Sequence, residues 1–562
     1  MRLRLPRWAA VTAALTVLAG AGTWTAVASD DPPPVHRADR TLDVDGVRLD
    51  TSYFTGDGDG RRPAVLLGHG FGGSKDDVRA QAEGLARDGY AVLTWSARGF
   101  GASTGEIGLN DPDREVKDVS RLIDWLADRP EVLLDGAGDP RVGVSGASYG
   151  GAISLLAAGH DPRVDAIAPR ITYWNLADAL FPDDVFKKLW AGIFFSAGNG
   201  AGTGSLPGAG DGPATGEAPA AGEAPAAGAG KAAASKAPAC GRFTAELCAL
   251  YQRVAVSGKP DAAARALLEA RSPSAVGGRI KVPALLVQGQ SDSLFTLAQS
   301  DATARTLAAN GAPVAVDWTS GGHDGGDQET ERVERRVGAW FDRWLKRDAS
   351  VDTGPAFRVS RTGGVDSTNG RATLRAATAD RYPGLASGTT ALALGGAPQT
   401  FANPPGGAPP AVSAVPGLGG GLSGLSSLGV GLSLDFPGQH ARFDAKPQTG
   451  ALRITGAPTV RVKVTSTAAD GSAVLFAKVY DVGPDGRQQV LPAQLVAPVR
   501  VEDARAGRDV TLALPAIDHE VEAGHRLRLV VAATDLGYAS PAAPAAYTVA
   551  VRGPLTVPTA PG

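Results

Sequence analysis

The pentapeptide GASYG at 146–150 constrains this chain more than any other feature. It follows the apolar run 142–144 and precedes a run of small and apolar residues. This order of strand, sharp turn and helix is the context of the G-x-S-x-G nucleophile elbow. Its glycines let a serine occupy a strained turn while a helix packs closely behind it. The sequence therefore predicts Ser148 as an exposed nucleophile, although the pentapeptide alone also fits a glycine-rich turn.

Asp292 and His323 follow Ser148 along the chain. The three residues thus come in the order serine, acid, histidine, which an α/β-hydrolase requires. Asp292 comes after the apolar run 282–287, as expected of a carboxylate at the end of a buried strand. His323 lies in a glycine-flanked loop after a predicted strand at 314–318. A serine hydroxyl becomes nucleophilic when a neutral imidazole accepts its proton and a carboxylate fixes the imidazole tautomer. We predict that these three side chains form a catalytic triad.

The acid is the least constrained member of this triad. A strand-end aspartate such as Asp292 can instead cap a helix, so Asp317 and Asp324 are alternative acids. His323 is selected from only seven histidines. The other six precede the fold, follow the nucleophile helix, belong to the loop described next or lie in the C-terminal part of the chain.

A glycine-rich loop after the apolar run 63–67 supplies the other half of the predicted site. Its sequence, HGFG at 69–72, is similar to the loop of lipases and esterases that offers a backbone N–H to the oxyanion. We assign that donor to Phe71 and the second donor to Tyr149. Each preorganised donor stabilises the transition state by about 3 kcal/mol. These motifs call for no metal and no cofactor.

Strand-like and helix-like segments alternate over 40–172 and again over 279–348. This alternation predicts an α/β domain with a mostly parallel sheet covered on both faces. Between them, 173–278 is rich in aromatic residues and predicts an inserted helical lid. Within the lid, 198–239 consists mostly of Gly, Ala and Pro, which predicts disorder because such a segment cannot bury a core.

The two cysteines, Cys240 and Cys248, precede and enter a predicted lid helix. On one continuous helix they would lie about 12 Å apart, which is too far for a disulfide. Pairing therefore requires Cys240 to occupy a turn before the helix, which Pro238 and Gly241 permit. Two unpaired thiols are the alternative.

The N-terminal segment 1–28 has three arginines, an apolar stretch and the ending Ala26-Val27-Ala28. This pattern is typical of a signal peptide cleaved after Ala28 and predicts a secreted protein, in which cysteine pairing is favoured. An uncleaved segment that tethers the protein to a membrane is the alternative. The formal net charge of −3 gives no indication of a nucleic-acid partner.

The helical pattern ends after residue 348. The segment 349–433, much of it rich in Gly, Pro, Ser and Ala, is predicted to be a linker. From 434 to 562 the chain alternates with period two, so that Val460, Val462 and Val464 share one face. This pattern predicts a β-sandwich.

Together these parts resemble the X-Pro dipeptidyl-peptidase and cocaine-esterase group, which joins an α/β-hydrolase domain with a helical lid to a jelly-roll domain. The matching motifs lie at 98–105, 146–151, 289–292, 322–323, 454–458, 481–486 and 523–529. The resemblance implies serine-dependent cleavage of peptide or ester bonds, with Ser148, Asp292 and His323 as the triad. Cleavage of X-Pro peptide bonds through an acyl-enzyme is the first expectation.

Two positions depart from the pattern of that group. The group usually has a tyrosine hydroxyl in the oxyanion loop, where this chain has Phe71, and an aspartate where this chain has Ser96. No side chain is identifiable that would hold the amino terminus of a peptide. A carboxylesterase and a weakly catalytic binding protein are therefore alternatives, and the oligomeric state is left open.

Overall fold

The computed structural model describes residues 32–199, 240–365, 372–414, 433–492 and 495–560. The predicted signal segment 1–28 and residues 200–239 of the predicted disordered segment lie outside these ranges. The start of the latter is wrong, because Gly198 is the last residue of a lid helix and packs against Phe243. No helix within the described ranges is long and apolar enough to cross a membrane.

The first domain is built around one large sheet, accompanied by a short hairpin of β5 and β6. Its strands are β1 (Val35–Val44), β2 (Val47–Gly56), β3 (Ala64–Gly68), β4 (Ala91–Trp95), β5 (Leu134–Gly136), β6 (Asp139–Pro140), β7 (Val142–Ala147), β8 (Val164–Arg170), β9 (Ala284–Gly289), β10 (Val314–Thr319), β11 (Phe357–Val365) and β12 (Ala372–Ala379). The order across the sheet is β1-β2-β4-β3-β7-β8-β9-β10-β11-β12.

Neighbouring strands are parallel from β4 to β11 and antiparallel at both edges. The helices are α1 (Arg79–Arg87), α2 (Glu115–Ala127), α3 (Tyr149–His160), α4 (Leu176–Leu180), α5 (Lys188–Gly198), α6 (Ala245–Ser257), α7 (Ala262–Ala270), α8 (Leu297–Ala309) and α9 (Thr330–Trp344). Strands β3, β4 and β9 are buried along their whole length, as expected when helices cover both faces of a parallel sheet. The predicted α/β-hydrolase architecture is confirmed.

Helices α4 to α7 form the predicted lid. Helix α6 begins where the Thr244 side chain accepts a hydrogen bond from the Leu247 N–H, which is the usual device for starting a helix. Cys240 precedes this cap in a turn, and it is bonded to Cys248 within the helix. Cys240 therefore occupies the turn before the helix that the sequence analysis requires for pairing.

The C-terminal domain is a sandwich of two antiparallel sheets. Its strands are β13 (Gly388–Leu392), β14 (Leu394–Gly395), β15 (Gln399–Asn403), β16 (His440–Ala445), β17 (Leu452–Gly456), β18 (Thr459–Ser466), β19 (Ala473–Val482), β20 (Gln488–Leu491), β21 (Ala497–Val501), β22 (Arg508–Ala513), β23 (Ile517–Val521), β24 (Arg526–Ala532), β25 (Ala545–Val551) and β26 (Leu555–Thr559). Val460, Val462 and Val464 are buried between the sheets, so the predicted sandwich is confirmed.

The structure differs from the predicted linker at 349–433. Within its described part, β11 and β12 complete the first sheet, while β13 to β15 belong to the sandwich. Phe357 packs edge-on against Trp318, with 5.0 Å between ring centroids, and Phe401 is buried in the sandwich core. Single buried aromatic residues in a sequence rich in Gly and Pro give no periodic signal, which explains the error.

The sandwich packs against the catalytic domain and its lid. Arg361 of β11 makes a bidentate ion pair with Asp518 of β23, at 2.8 and 2.9 Å. The Ala539 N–H donates to the carbonyl of Phe186, just before lid helix α5. The first contact joins the sandwich to the large sheet, and the second joins it to the lid.

Candidate active site

Ser148 occupies a strained turn between β7 and α3. Its φ is 55° and its ψ is −114°, a backbone conformation that is costly for a residue with a Cβ. The Ser148 N–H donates to the Arg170 carbonyl at 2.9 Å. A Cβ at Gly146 would lie 2.5 Å from the Gly68 carbonyl oxygen, and one at Gly150 would collide with the same atom. Only glycine therefore fits at positions 146 and 150, two residues before and after the serine.

Asp292 and His323 meet at the carboxyl ends of β9 and β10. His323 Nδ1 lies 2.6 Å from Asp292 Oδ2, and both side chains are almost completely buried. Asp292 Oδ1 accepts hydrogen bonds from the N–H groups of Leu294 and Phe295. With Nδ1–H directed at Asp292, the lone pair of His323 Nε2 is available as a base. That Nε2 has no hydrogen-bond partner among the described residues.

The two alternative acids have other partners. Asp317 is held by Arg332, Arg336 and Arg358 at 2.6 to 3.3 Å. Asp324 accepts hydrogen bonds from the backbone N–H and the hydroxyl of Ser293, at 2.6 and 2.8 Å. Neither is hydrogen-bonded to the imidazole, so the geometry favours Asp292 as the acid.

Two lid side chains make contacts beside the imidazole that the sequence did not predict, although Trp190 belongs to the aromatic segment expected to face the active site. Trp190 of lid helix α5 donates its indole N–H to the Ser293 hydroxyl at 2.9 Å and packs edge-on against His323. Lys187 donates to the Leu294 carbonyl at 2.7 Å; burial lowers its pKa to about 8, opposed by the charges of Asp292 and Asp324. No sequence signal marks these contacts, because the lid and the acid loop are far apart along the chain.

The predicted oxyanion-hole residues lie together beside the nucleophile. Phe71 and Tyr149 pack edge-on, with 5.8 Å between ring centroids. Tyr149 is the first residue of α3, where a backbone N–H has no partner within the helix. Phe71 follows β3, and its ring contacts Phe194 of the lid. The Phe71 ring thus belongs to the wall of an apolar cavity.

That cavity lies between Ser148 and the lid. Its lining is apolar apart from the serine and three tyrosines: Phe71, Leu109, Ser148, Tyr149, Tyr173, Leu176, Leu180, Phe181, Phe186, Ala191, Phe194, Phe195, Phe243, Leu247, Leu250, Tyr251, Val254, Leu268 and Phe295. The hydroxyls of Tyr149 and Tyr173 already accept hydrogen bonds from Asn110. No charged side chain lines the described cavity.

Among the described residues, no three His, Cys, Asp or Glu side chains are grouped so that they could hold a metal ion. The described site combines a strained serine, an Asp–His pair and an apolar cavity, and the sequence predicts that the Phe71 and Tyr149 N–H groups complete it. Such a set of groups is suited to acyl transfer.

Asp324 gives a prediction about stability. Burial, followed by the charge of Asp292, raises the pKa of Asp324 to about 6 from 3.8. The folded state then binds more protons than the unfolded state between about pH 4 and pH 6, so this group lowers the free energy of unfolding by about 3 kcal/mol as pH rises. Asp324→Asn removes that term. The free energy of unfolding of the variant minus that of the wild type, measured with urea, should increase by about 3 kcal/mol from pH 4 to pH 7. A difference that does not change with pH would contradict the assignment.

Fold and site define a serine hydrolase of the α/β-hydrolase class. The model of the X-Pro dipeptidyl-peptidase (S15 family) matches residues 45–319, and the model of the X-Pro dipeptidyl-peptidase C-terminal non-catalytic domain matches residues 366–550. These two matches together cover most of the chain, which belongs to the X-Pro dipeptidyl-peptidase (S15) family.

Solved structures of the same architecture cover almost the whole chain. An α-amino acid ester hydrolase superposes with a TM-score of 0.64 at 16% identity, covering 95% of this chain and 98% of that one. An aminopeptidase from a marine sediment Thaumarchaeota archaeon gives 0.63 at 16% identity, covering 94% and 97%. A CocE/NonD family hydrolase from Staphylococcus aureus gives 0.61 at 13% identity, covering 94% and 93%. At these identities the likeness shows the fold.

Curated relatives match shorter stretches of the chain. A thiohydrolase from Aspergillus aculeatus is 30% identical over 155 residues, which is 27% of this chain and 45% of the relative. A bis(hydroxyethyl) terephthalate hydrolase from Streptomyces coelicolor is 29% identical over 202 residues, which is 32% of this chain and 61% of the relative. The chain thus spans less than two thirds of the length of either relative.

Proposed function

We propose that this protein is a secreted serine hydrolase that cleaves carboxylic esters carrying a bulky apolar group. Ser148 is the nucleophile, His323 the base and Asp292 the acid of the triad. The observation that carries the ester assignment is the apolar cavity beside Ser148, which has no charged side chain in its described lining. Family membership supports both peptide and ester hydrolysis, and the cavity favours the second.

In the proposed mechanism, His323 Nε2 accepts the Ser148 proton as the serine oxygen attacks the ester carbonyl. The N–H groups of Phe71 and Tyr149 stabilise the oxyanion, and Asp292 stabilises the imidazolium. The imidazolium then gives its proton to the leaving alcohol, and the acyl group stays on Ser148. Water, activated by the same imidazole, attacks the acyl-enzyme and releases the acid with the serine restored.

A dipeptidyl-peptidase has an additional requirement. Its substrate carries a protonated amino terminus two residues from the scissile bond, and a buried ammonium group needs a carboxylate or several carbonyl partners. Glu115, the nearest buried carboxylate to Tyr149, lies outside the cavity lining and accepts hydrogen bonds from the Gly108 and Asp111 N–H groups. The described cavity therefore favours a neutral substrate.

Two features support export. The segment 1–28 has the composition of a signal peptide. The Cys240–Cys248 disulfide in the lid is typical of a protein that folds in an oxidising compartment. The N-terminal sequence of the protein recovered from culture medium tests this part of the proposal, and we expect it to begin at Ser29.

A substrate panel on the mature protein tests the assignment of esters. We expect p-nitrophenyl esters to be cleaved, with kcat/KM rising about fourfold for each methylene added to the acyl chain, since a buried CH₂ is worth about 0.8 kcal/mol. The rise should end when the cavity is filled. X-Pro p-nitroanilides should be cleaved far more slowly, and Ser148→Ala supplies the background rate. Faster release of p-nitroaniline than of p-nitrophenol would instead identify a dipeptidyl-peptidase.

A further inference from the structure

The segment 107–111 contacts both the lid and the nucleophile elbow, and we call it the bridging loop. On the lid side, the Ile107 N–H donates to the Arg242 carbonyl at 2.7 Å, and the Thr244 N–H donates to the Ile107 carbonyl at 3.2 Å. These two bonds attach the loop to the lid segment that contains the disulfide. At its other end, Asp111 forms an ion pair with a lid arginine at 2.9 Å.

On the elbow side, Asn110 of the bridging loop holds Tyr149, the residue after the nucleophile. The Asn110 N–H donates to the Tyr149 hydroxyl at 3.0 Å, and Asn110 Nδ2 donates to the Tyr149 carbonyl at 3.1 Å. The same Nδ2 donates to the Tyr173 hydroxyl at 3.2 Å. Asn110 therefore fixes both the side chain and the backbone of Tyr149, whose N–H is the second proposed oxyanion donor.

The bridging loop is strained, and a buried carboxylate holds it. Leu109 and Asn110 both have φ of 60°, which is unfavourable for residues other than glycine, most of all for leucine. Glu115 of α2 accepts hydrogen bonds from the N–H groups of Gly108 at 2.5 Å and Asp111 at 3.0 Å. These donors flank the left-handed pair, so the carboxylate fixes the turn from both sides.

We propose that Glu115 is a positioning residue for the oxyanion hole. It holds the bridging loop in its left-handed turn, the loop places Asn110, and Asn110 fixes the Tyr149 backbone. The carboxylate itself touches no reacting atom. This inference rests on the proposed function, because it takes the Tyr149 N–H as an oxyanion donor.

The charges around Glu115 add a pH dependence. Burial is the main cause that raises the pKa of Glu115 to about 7, and the charges of Asp111 and Asp118 act in the same direction. Arg98 pairs with Asp118, and Arg271 pairs with Asp111. The other titratable groups near Glu115 are the phenols of Tyr149 and Tyr173 and the imidazole of the buried His69. His69 and Glu115 line one small cavity, which is separate from the apolar cavity beside Ser148.

Protonation turns one oxygen of Glu115 into an O–H donor and makes that oxygen a weaker acceptor for its N–H group. Turnover in the wild type should therefore be higher when Glu115 is ionised. As pH falls through about 7, kcat of the wild type is expected to fall more than kcat of a variant without this carboxylate.

Glu115→Gln is the direct test. Glutamine keeps the size of the side chain and one acceptor oxygen, but its amide NH₂ faces the second N–H donor. Loss of a complete oxyanion donor costs about 10²- to 10³-fold in kcat, and we expect a displaced donor to cost about 10- to 100-fold. KM for a p-nitrophenyl ester should change less than about twofold, while affinity for an apolar trifluoromethyl ketone falls with kcat. The fall of kcat with decreasing pH should be smaller in the variant than in the wild type.

Asp165→Asn is the matched control. Asp165 is another partly buried carboxylate that accepts a backbone hydrogen bond, from the Val142 N–H at 2.8 Å. Asp165 lies near the start of β8, and its partner Val142 begins β7, at the opposite end of that strand from the elbow. Burial raises the pKa of Asp165 to about 6, so its replacement perturbs the fold in a comparable way. We expect kcat of this variant to stay within about twofold of the wild type.

Asn110→Gly keeps the test decisive if Glu115→Gln does not fold. Glycine accepts the positive φ without strain, but it removes the Nδ2 donor to the Tyr149 carbonyl. The same loss of kcat is expected in a stable protein. Unchanged kcat in a folded variant at either position, or an equal loss in Asp165→Asn, would overturn the role of Glu115. Failure of the proposed function would show differently, as a wild type that does not cleave esters at all.

Discussion

Replacement of Ser148 by alanine is expected to reduce ester turnover by about a millionfold, the typical cost of removing a triad nucleophile. The fold should persist, because the turn is held by backbone groups: the Ser148 N–H donates to Arg170, and the Ser148 carbonyl accepts from the Thr172 hydroxyl. Initial rates on a p-nitrophenyl ester, with thermal unfolding as a check on the fold, measure both outcomes.

Ser145→Ala is a matched control for this experiment. Ser145 lies on β7, the strand that leads into the elbow. It is fully buried and donates its hydroxyl to the Ala168 carbonyl at 2.8 Å. Its replacement removes a serine hydroxyl beside the elbow without touching the nucleophile, so activity should be largely retained. Near-normal activity in Ser148→Ala would show that the elbow assignment is wrong. Labelling of the wild type by a fluorophosphonate, absent in Ser148→Ala, would exclude the alternative of a binding protein.

Asp292→Asn is expected to reduce turnover by about 10⁴-fold, as in serine proteases with the same arrangement. The carboxylate accepts the Nδ1–H of His323 at 2.6 Å and so leaves the lone pair on Nε2. An asparagine NH₂ in that position would favour the opposite tautomer, which has no lone pair directed at the serine. Steady-state kinetics across the neutral pH range, on protein shown to be folded, measure the loss.

The alternative acids serve as controls for Asp292. Asp317→Asn removes a carboxylate that is paired with three arginines, and Asp324→Asn removes one that is bound to Ser293. Both are expected to affect stability more than turnover. If Asp292→Asn lost only a few-fold while one of these variants lost 10³-fold or more, the acid would have been misassigned.

The parts of the fold that follow from local pattern could be predicted from the sequence. Helix α2 places Val116, Val119, Ile123 and Leu126 on one stripe, and all four are buried, because the period of a helix matches the spacing of its apolar residues. The elbow was recognisable for the same reason, since its constraints lie within a few consecutive residues. The strands hidden in 349–433 could not be found, because each is anchored by isolated apolar residues and by pairing with distant strands.

The contacts that surround the site could not be read from the sequence either. The Trp190–Ser293 hydrogen bond joins residues from the lid and the acid loop, and Glu115 acts on a loop whose strain appears only in its backbone angles. Such contacts depend on three-dimensional packing between segments that have no shared periodicity. The motifs therefore indicated which atoms react, whereas the structure indicates how they are held.

The most direct test of the central claim is to trap the acyl-enzyme on an apolar ester. The mature protein would be mixed with a p-nitrophenyl ester, quenched with acid during the burst of p-nitrophenol, digested, and mapped by mass spectrometry. We predict one acyl group per chain, carried by Ser148 in the peptide that contains residues 146–150. An acyl group on another residue, or full turnover with no covalent intermediate at any quench time, would contradict the account.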